Sequence, residues 1–151
     1  MSDRSVGADV FLPFPIEFLI WDTPRSHQSA NTRAKERWRR QVHEIAASHA
    51  RMLGDLHYID ERPLALTLLY FPPAPMDGDI DNIVKLIADG MVSVFYPDDR
   101  VLERIVVQKF EPGVPAVFRT PTATLEQAAS TRTRPVLYIR LDDDLTWREA
   151  A

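Results

Sequence analysis

From Met76 the chain reads M-D-G-D-I-D-N-I-V-K-L-I-A-D-G and, after a few apolar residues, Y-P-D-D-R-V. Asp77, Asp79 and Asp81 alternate, and Asp98 and Asp99 follow as a second acidic pair. Two carboxylates ~4 Å apart repel by about 4 kcal/mol at an effective dielectric of 20. Such a cluster fans out into water, raises a pKa, or holds a cation. Oxygen donors without His or Cys select hard ions: Mg²⁺, Mn²⁺ or Ca²⁺. An EF-hand loop counted from Asp77 fails, because Asn82 and Ala88 stand where its Gly and bidentate Glu are required. Among the cation readings, a catalytic Mg²⁺ or Mn²⁺ cluster is favoured over an EF-hand Ca²⁺ site.

The cluster needs particular local geometry. If Gly78–Ile80 are extended, Asp79 and Asp81 point to the same side, as side chains two apart do in a strand. That predicts a strand exit running into a helix N-terminus, with Asp98–Asp99 returning to the same spot. Each residue has a structural alternative. Asp81 is a good N-cap, and Pro-Asp-Asp is an ordinary turn composition. Lys85 either forms an i, i+4 ion pair with Asp81 or Asp89, or aims its charge at a scissile phosphate.

The elements around the cluster follow from proline placement. Of the 12 prolines, none lies between Arg25 and Arg62 or between Met76 and Tyr96, and helices run where proline is absent. Trp38, Val42, Ile45, Ala46, His49 and Met52 form an apolar stripe that predicts a helix over Ala30–Leu53, with Gly54 as its stop. Ile83, Val84, Ile87, Met91 and Val94 predict a second helix over Asp81–Val94. Ile16–Trp21, Leu64–Phe71, Val101–Phe110 and Val136–Leu141 read as strands. Residues 111–134 form a long connection or insertion with one short helix-like run, Leu125–Ala129. The order is β-α-β-α-β-β, an α/β or α+β fold in one domain over 1–151, with a flexible start at 1–9.

Net charge is −4, which taken alone argues against a nucleic-acid partner. The average conceals an asymmetry. Arg25, Arg33, Lys35, Arg37, Arg39, Arg40 and Arg51, opposed by Glu36 and Glu44, make one segment +5 and the remainder −9. Arg33, Arg37 and Arg40 share a helix face that either contacts phosphates or is simply solvated. Trp38 is expected to anchor that helix to the core. The four histidines show no ligand spacing. With no cysteine, disulfides, Cys-type zinc fingers and Cys nucleophiles are excluded. No apolar run approaches a membrane span, and no signal-peptide pattern is present. The expected location is the cytoplasm.

Asp79, Asp81, Asn82, Lys85, Asp89 and the pair Asp98–Asp99 resemble the signature of the RusA family of Holliday junction resolvases. That signature is D-x-D-N, a lysine three residues on, an aspartate four further, then Asp-Asp before the next strand. The resemblance spans Leu64–Phe110. It implies a small mixed sheet of about four strands flanked by two main helices. It also implies a homodimeric endonuclease, dependent on Mg²⁺ with Mn²⁺ as substitute, that resolves four-way junctions by paired nicks in recombination and repair. Carried over, Asp79, Asp81, Asp99 and Lys85 are catalytic; Asp79, Asp81 and Asp99, with Asp98, hold the metal. With that acidic site suspected, the charge pattern of the basic helix makes Arg33, Arg37 and Arg40, beside Lys85, the candidate DNA contacts. Flaps or forks are the alternative substrates, and a non-catalytic DNA-binding module is the alternative role.

Overall fold

The computed structural model describes residues 13–54, 63–115 and 117–145. The expected flexible start at 1–9 and His57 lie outside these residues. Strand β1, Ile16–Ile20, leads to helix α1, Thr32–Met52. Strand β2 spans Leu64–Phe71, helix α2 Val84–Gly90 and strand β3 Leu102–Lys109. Helix α3, Ala123–Ser130, interrupts the long connection before strand β4, Val136–Asp142.

The four strands form one mixed sheet in the order β1-β4-β2-β3. β4 is antiparallel to both neighbours, with Leu141 opposite Ile16 on one side and Leu66 on the other. β2 and β3 are parallel, a pairing that requires a crossover. The crossover is the aspartate-rich segment itself. This is the mixed α+β architecture the sequence predicts, with a third helix added.

Alternation along β2 assigns the two faces. Leu66, Leu68 and Tyr70 join α1 and α2 in the main core. Leu69 and Phe71 face α3 in a smaller cluster with Ala128, Val136 and Tyr138. Beside that cluster, the Tyr138 phenol donates a hydrogen bond to the Glu17 carboxylate.

Asn31 caps α1, its Oδ1 accepting from the Ala34 N–H at 2.9 Å. His49 and Arg51 occupy the last turn, where positive charge suits the helix dipole. Gly54, at φ +106°, takes the left-handed conformation that ends the helix. Trp38, Val42 and Ala46 are the buried stripe, and Trp38 anchors the helix as expected. Met52 departs from expectation: it is 80% exposed, because the last turn runs past the core contacts.

The second helix is also shorter than Asp81–Val94. It is a 3₁₀ turn, Ile80–Ile83, followed by α2, which stops at Gly90. The Tyr96 hydroxyl donates to the Ala88 carbonyl at 2.6 Å, and Ser93 takes a left-handed φ of 70°, so the chain turns before Val94. Among the described residues no helix is long and apolar enough to cross a membrane.

Candidate active site

β2 and β3 are parallel, so the end of one and the start of the other lie at opposite ends of the sheet. The crossover therefore travels back along the sheet, and its 3₁₀ turn packs beside β3. Asp79 enters that turn with extended backbone, φ −79° and ψ 134°. Asp81 lies inside the turn, so strand parity does not relate it to Asp79. The capping alternative for Asp81 also fails. Asp79, not Asp81, occupies the N-cap position, and its carboxylate makes no capping hydrogen bond.

Lys85, on the first turn of α2, joins residues distant in sequence. Its ammonium lies 3.1 Å from Asp89 Oδ1 and 3.1 Å from Asp99 Oδ2. The Asp89 contact is the expected i, i+4 pair; Asp81 is not its partner. The contact with Asp99 spans fourteen positions and folds the later acidic pair back onto the helix. Hydrogen bonding to Asp99, then to Asp89, pushes the Lys85 pKa up, so the cation persists at neutral pH.

The two carboxylates of the pair behave differently. Asp98 Oδ1 accepts from the Arg100 N–H at 2.9 Å and caps the short 3₁₀ turn Asp99–Val101. Its Oδ2 lies 3.5 Å from Arg100 Nε. Asp98 thus serves the turn, while Asp99 faces Lys85. Among the described residues, no three His, Asp or Glu side chains converge closely enough to hold a metal ion. Asp79 and Asp81 are exposed and Asp99 is partly so. The donors are all carboxylate oxygens, the set a hard divalent cation takes.

The basic helix is fastened to this turn. The His27 N–H and Nδ1 both donate to the Asn82 carbonyl, at 3.0 and 3.1 Å. Lys35 Nζ in turn donates to the His27 carbonyl at 3.2 Å. At the other end of α2, His43 Nδ1 donates to the Gly90 carbonyl at 2.9 Å. A carbonyl only accepts, so both ring Nδ1 atoms carry hydrogen. His27 and His43 are therefore structural ties. Arg33, Arg37 and Arg40 are exposed on the outer face of α1, whereas Arg39 turns to an ion pair with Glu36.

Two residues of the long connection hold the loop that delivers Asp79. Glu111 Oε2 accepts from the Met76 N–H at 2.8 Å and pairs with Lys109 at 3.1 Å. Both contacts hold the Glu111 carboxyl below its usual range, the Met76 bond most. Arg134 Nη1 donates to the carbonyls of Pro72, at 3.1 Å, and Phe110, at 2.8 Å, and its guanidinium lies over the Phe71 ring. Sequence reasoning missed both roles. Their partners are 35 and 62 positions away, and no local pattern carries that signal.

A family model described as endodeoxyribonuclease RusA matches residues 21–118, from the end of β1 into the long connection. No curated protein matches the chain.

Proposed function

The chain belongs to the RusA endodeoxyribonuclease family, and from that premise we propose that it resolves four-way DNA junctions, cutting with Mg²⁺ or Mn²⁺. The observation that carries the reading is the Lys85 bridge. It brings Asp99 against the helix that begins at the Asp81–Asn82 turn, which gathers motif residues from both ends of the crossover.

Asp79, Asp81 and Asp99 are the proposed metal ligands. Asp98 is a lesser one, since its carboxylate already caps a turn. Bringing such carboxylates together is opposed by their mutual repulsion, which a divalent charge offsets. When bound, the cation supplies Lewis acidity at the phosphate and a more acidic attacking water.

The chain's own residues do the remaining work. Lys85 holds a fixed positive charge where negative charge grows on the phosphate oxygens, an arrangement that lowers the barrier. Asp89 and Asp99 keep the ammonium in place. Asn82 acts through its carbonyl, which anchors His27 and hence the start of α1. Arg33, Arg37 and Arg40 grip flanking phosphates and position the strand. A two-fold junction cut on two strands suits a homodimer, and the whole chain acts as one catalytic domain in the cytoplasm.

The test is cleavage of a synthetic four-way junction with and without Mg²⁺ or Mn²⁺, beside flap, fork and linear duplex. Paired nicks in the junction, dependent on metal, are expected. Asp81→Asn should abolish cutting while binding and melting temperature stay unchanged. Unchanged cleavage by that variant overturns the site assignment. Equal cutting of flaps or forks reassigns the substrate.

A further inference from the structure

A cavity of about 310 Å³ opens at the C-terminal ends of β1 and β2, directly beside Asp79. That volume is at the lower end of small-molecule sites, which suits one ring system and not a duplex. One wall is made of Pro72, Pro73, Pro75 and the Met76 side chain. Prolines present apolar rings with fixed φ and no N–H, so this wall is apolar and stiff. Thr23, Ser26 and Tyr70, each with a hydroxyl, also line the cavity; Thr23 and Tyr70 are hydrogen-bonded to each other, and the Ser26 hydroxyl accepts from the Gln28 N–H at 3.0 Å.

Charge narrows the choice of occupant. Asp77 and Asp79 line the cavity, and among the described residues no Lys, Arg or His does. A phosphate is repelled; a neutral planar ring with polar edges is accepted. The cavity is also held in shape before any ligand arrives. Glu111 secures the Met76 N–H and Arg134 secures the Pro72 carbonyl, at the two ends of the proline wall.

We propose that this cavity receives an unstacked nucleobase of the branched DNA, from a nucleotide adjoining the phosphate that is cut. The inference rests on the nuclease reading above and extends it from phosphate to base. Asp79 belongs to both the cavity and the acidic motif, so the occupant is a neighbour of the reacting group. A base at a branch point has already lost a stacking partner, which makes its withdrawal less costly than from an intact helix. Apolar contact against the wall replaces the lost stacking, and the three hydroxyls read the base edge. Sequence preference near the cut follows from this cavity, and the arginine helix supplies grip without reading.

The experiment compares intact junctions with junctions carrying an abasic site, placed in turn on each side of the cut. Removing the base removes its apolar contact with the wall, so at one position an abasic site should slow the wild type at least about fivefold. Met76→Trp, which fills the cavity, should slow cutting of the intact junction by a similar factor. It should then cut intact and abasic junctions at about the same rate. If no position is sensitive, or if Met76→Trp keeps the wild-type intact-to-abasic ratio, the proposal is overturned. Circular dichroism checks that Met76→Trp folds. Thr23→Val is the second probe: it removes a hydroxyl at nearly constant volume and should alter base preference at the same position. An unchanged preference overturns the proposal.

The nuclease reading is tested separately. Asp81→Asn, bound to intact and abasic junctions, should show the same affinity difference without cutting. If Asp81→Asn still cuts, the site assignment fails. If it binds without cutting and without that difference, the base pocket alone fails.

Discussion

Gly90 is where α2 meets α1, and its replacement by alanine has a calculable consequence. A Cβ at Gly90 would lie 2.8 Å from both Cβ and Cγ1 of Val42 and 2.9 Å from the Arg39 carbonyl oxygen. Carbon atoms in contact sit at about 3.5–4.0 Å, so the two helices must separate by a sizeable fraction of an ångström. Val42 is fully buried and the third obstacle is backbone, so neither can swing aside. Overpacking of this kind costs about 1–3 kcal/mol. Alanine returns about 0.5–1 kcal/mol of backbone entropy within a helix. The two ranges leave a net loss of up to about 2.5 kcal/mol; with three contacts under 3 Å the upper part applies, about 1–2.5 kcal/mol, and at about 2–4 °C per kcal/mol for a chain of this size the melting temperature falls by about 2–10 °C. Urea unfolding of the wild type and of Gly90→Ala, Val42→Ala and the double variant measures it. The double variant should be less destabilised than the sum of the singles, by about 0.5 kcal/mol, because Val42→Ala removes the clash with Cγ1 while those with Cβ and the Arg39 carbonyl oxygen stay. A Gly90→Ala chain as stable as wild type or more so, the direction helix propensity alone predicts, would refute the reasoning. So would strict additivity.

Lys85→Met should reduce junction cleavage about 10²–10³-fold, the range for losing one charge-stabilising group. Because the side chain is 56% exposed, its ion pairs contribute at most about 1 kcal/mol to stability; equal losses of stability and rate would argue for a merely structural lysine. Asp98→Ala should destabilise by about 0.5–2 kcal/mol through its lost cap yet keep most activity, while Asp99→Asn loses activity. Cleavage and urea titrations of the two variants separate these outcomes. Arg37→Ala with Arg40→Ala should flatten the salt dependence of binding, by about 0.9 in slope per phosphate contact removed. An unchanged slope in a fluorescence titration removes α1 from the DNA interface. The Glu111 carboxyl has its folded pKa held below its ordinary 4.5, so its contribution to stability is present above that value and is lost as pH falls through the lower folded value. Glu111→Gln should remove that part of the acid sensitivity, read from urea midpoints between about pH 5 and pH 3.

The strands and α1 were legible in the sequence for local reasons. Proline gaps, β-branched runs and a 3.6-residue stripe each act over a few residues. Leu64–Phe71 was read to the residue. The end of α2 was not legible, because glycine within a helix pattern is tolerated and only the approach of Val42 makes Gly90 a close-contact position. The acidic motif suggested a chemistry for the site but not the partner each carboxylate takes. That Asp98 caps a turn while Asp99 meets Lys85 depends on a 3₁₀ turn that composition does not reveal. The run Pro72-Pro73-Ala74-Pro75 read only as a neutral approach to the aspartates, since a cavity wall exists only once Thr23 and Tyr70 stand opposite it.

The sheet carries unequal covers. Among the described residues, the core cluster that its main side shares with α1 and α2 holds nineteen buried residues, and the cluster on the other side holds five, sheltered by the eight-residue α3. Local opening follows the thinner layer, so in hydrogen exchange α3 should release its amides well before β2 or α1. Arg134, which braces the Pro72 carbonyl and leans on Phe71, belongs to that thinner side. The molecule can therefore slacken the loop before Asp79 through a fluctuation that leaves the arginine helix docked. On the proposed reading, cutting and DNA retention then have separate thermal limits: on warming, the chain should stop cutting a junction while it still binds it.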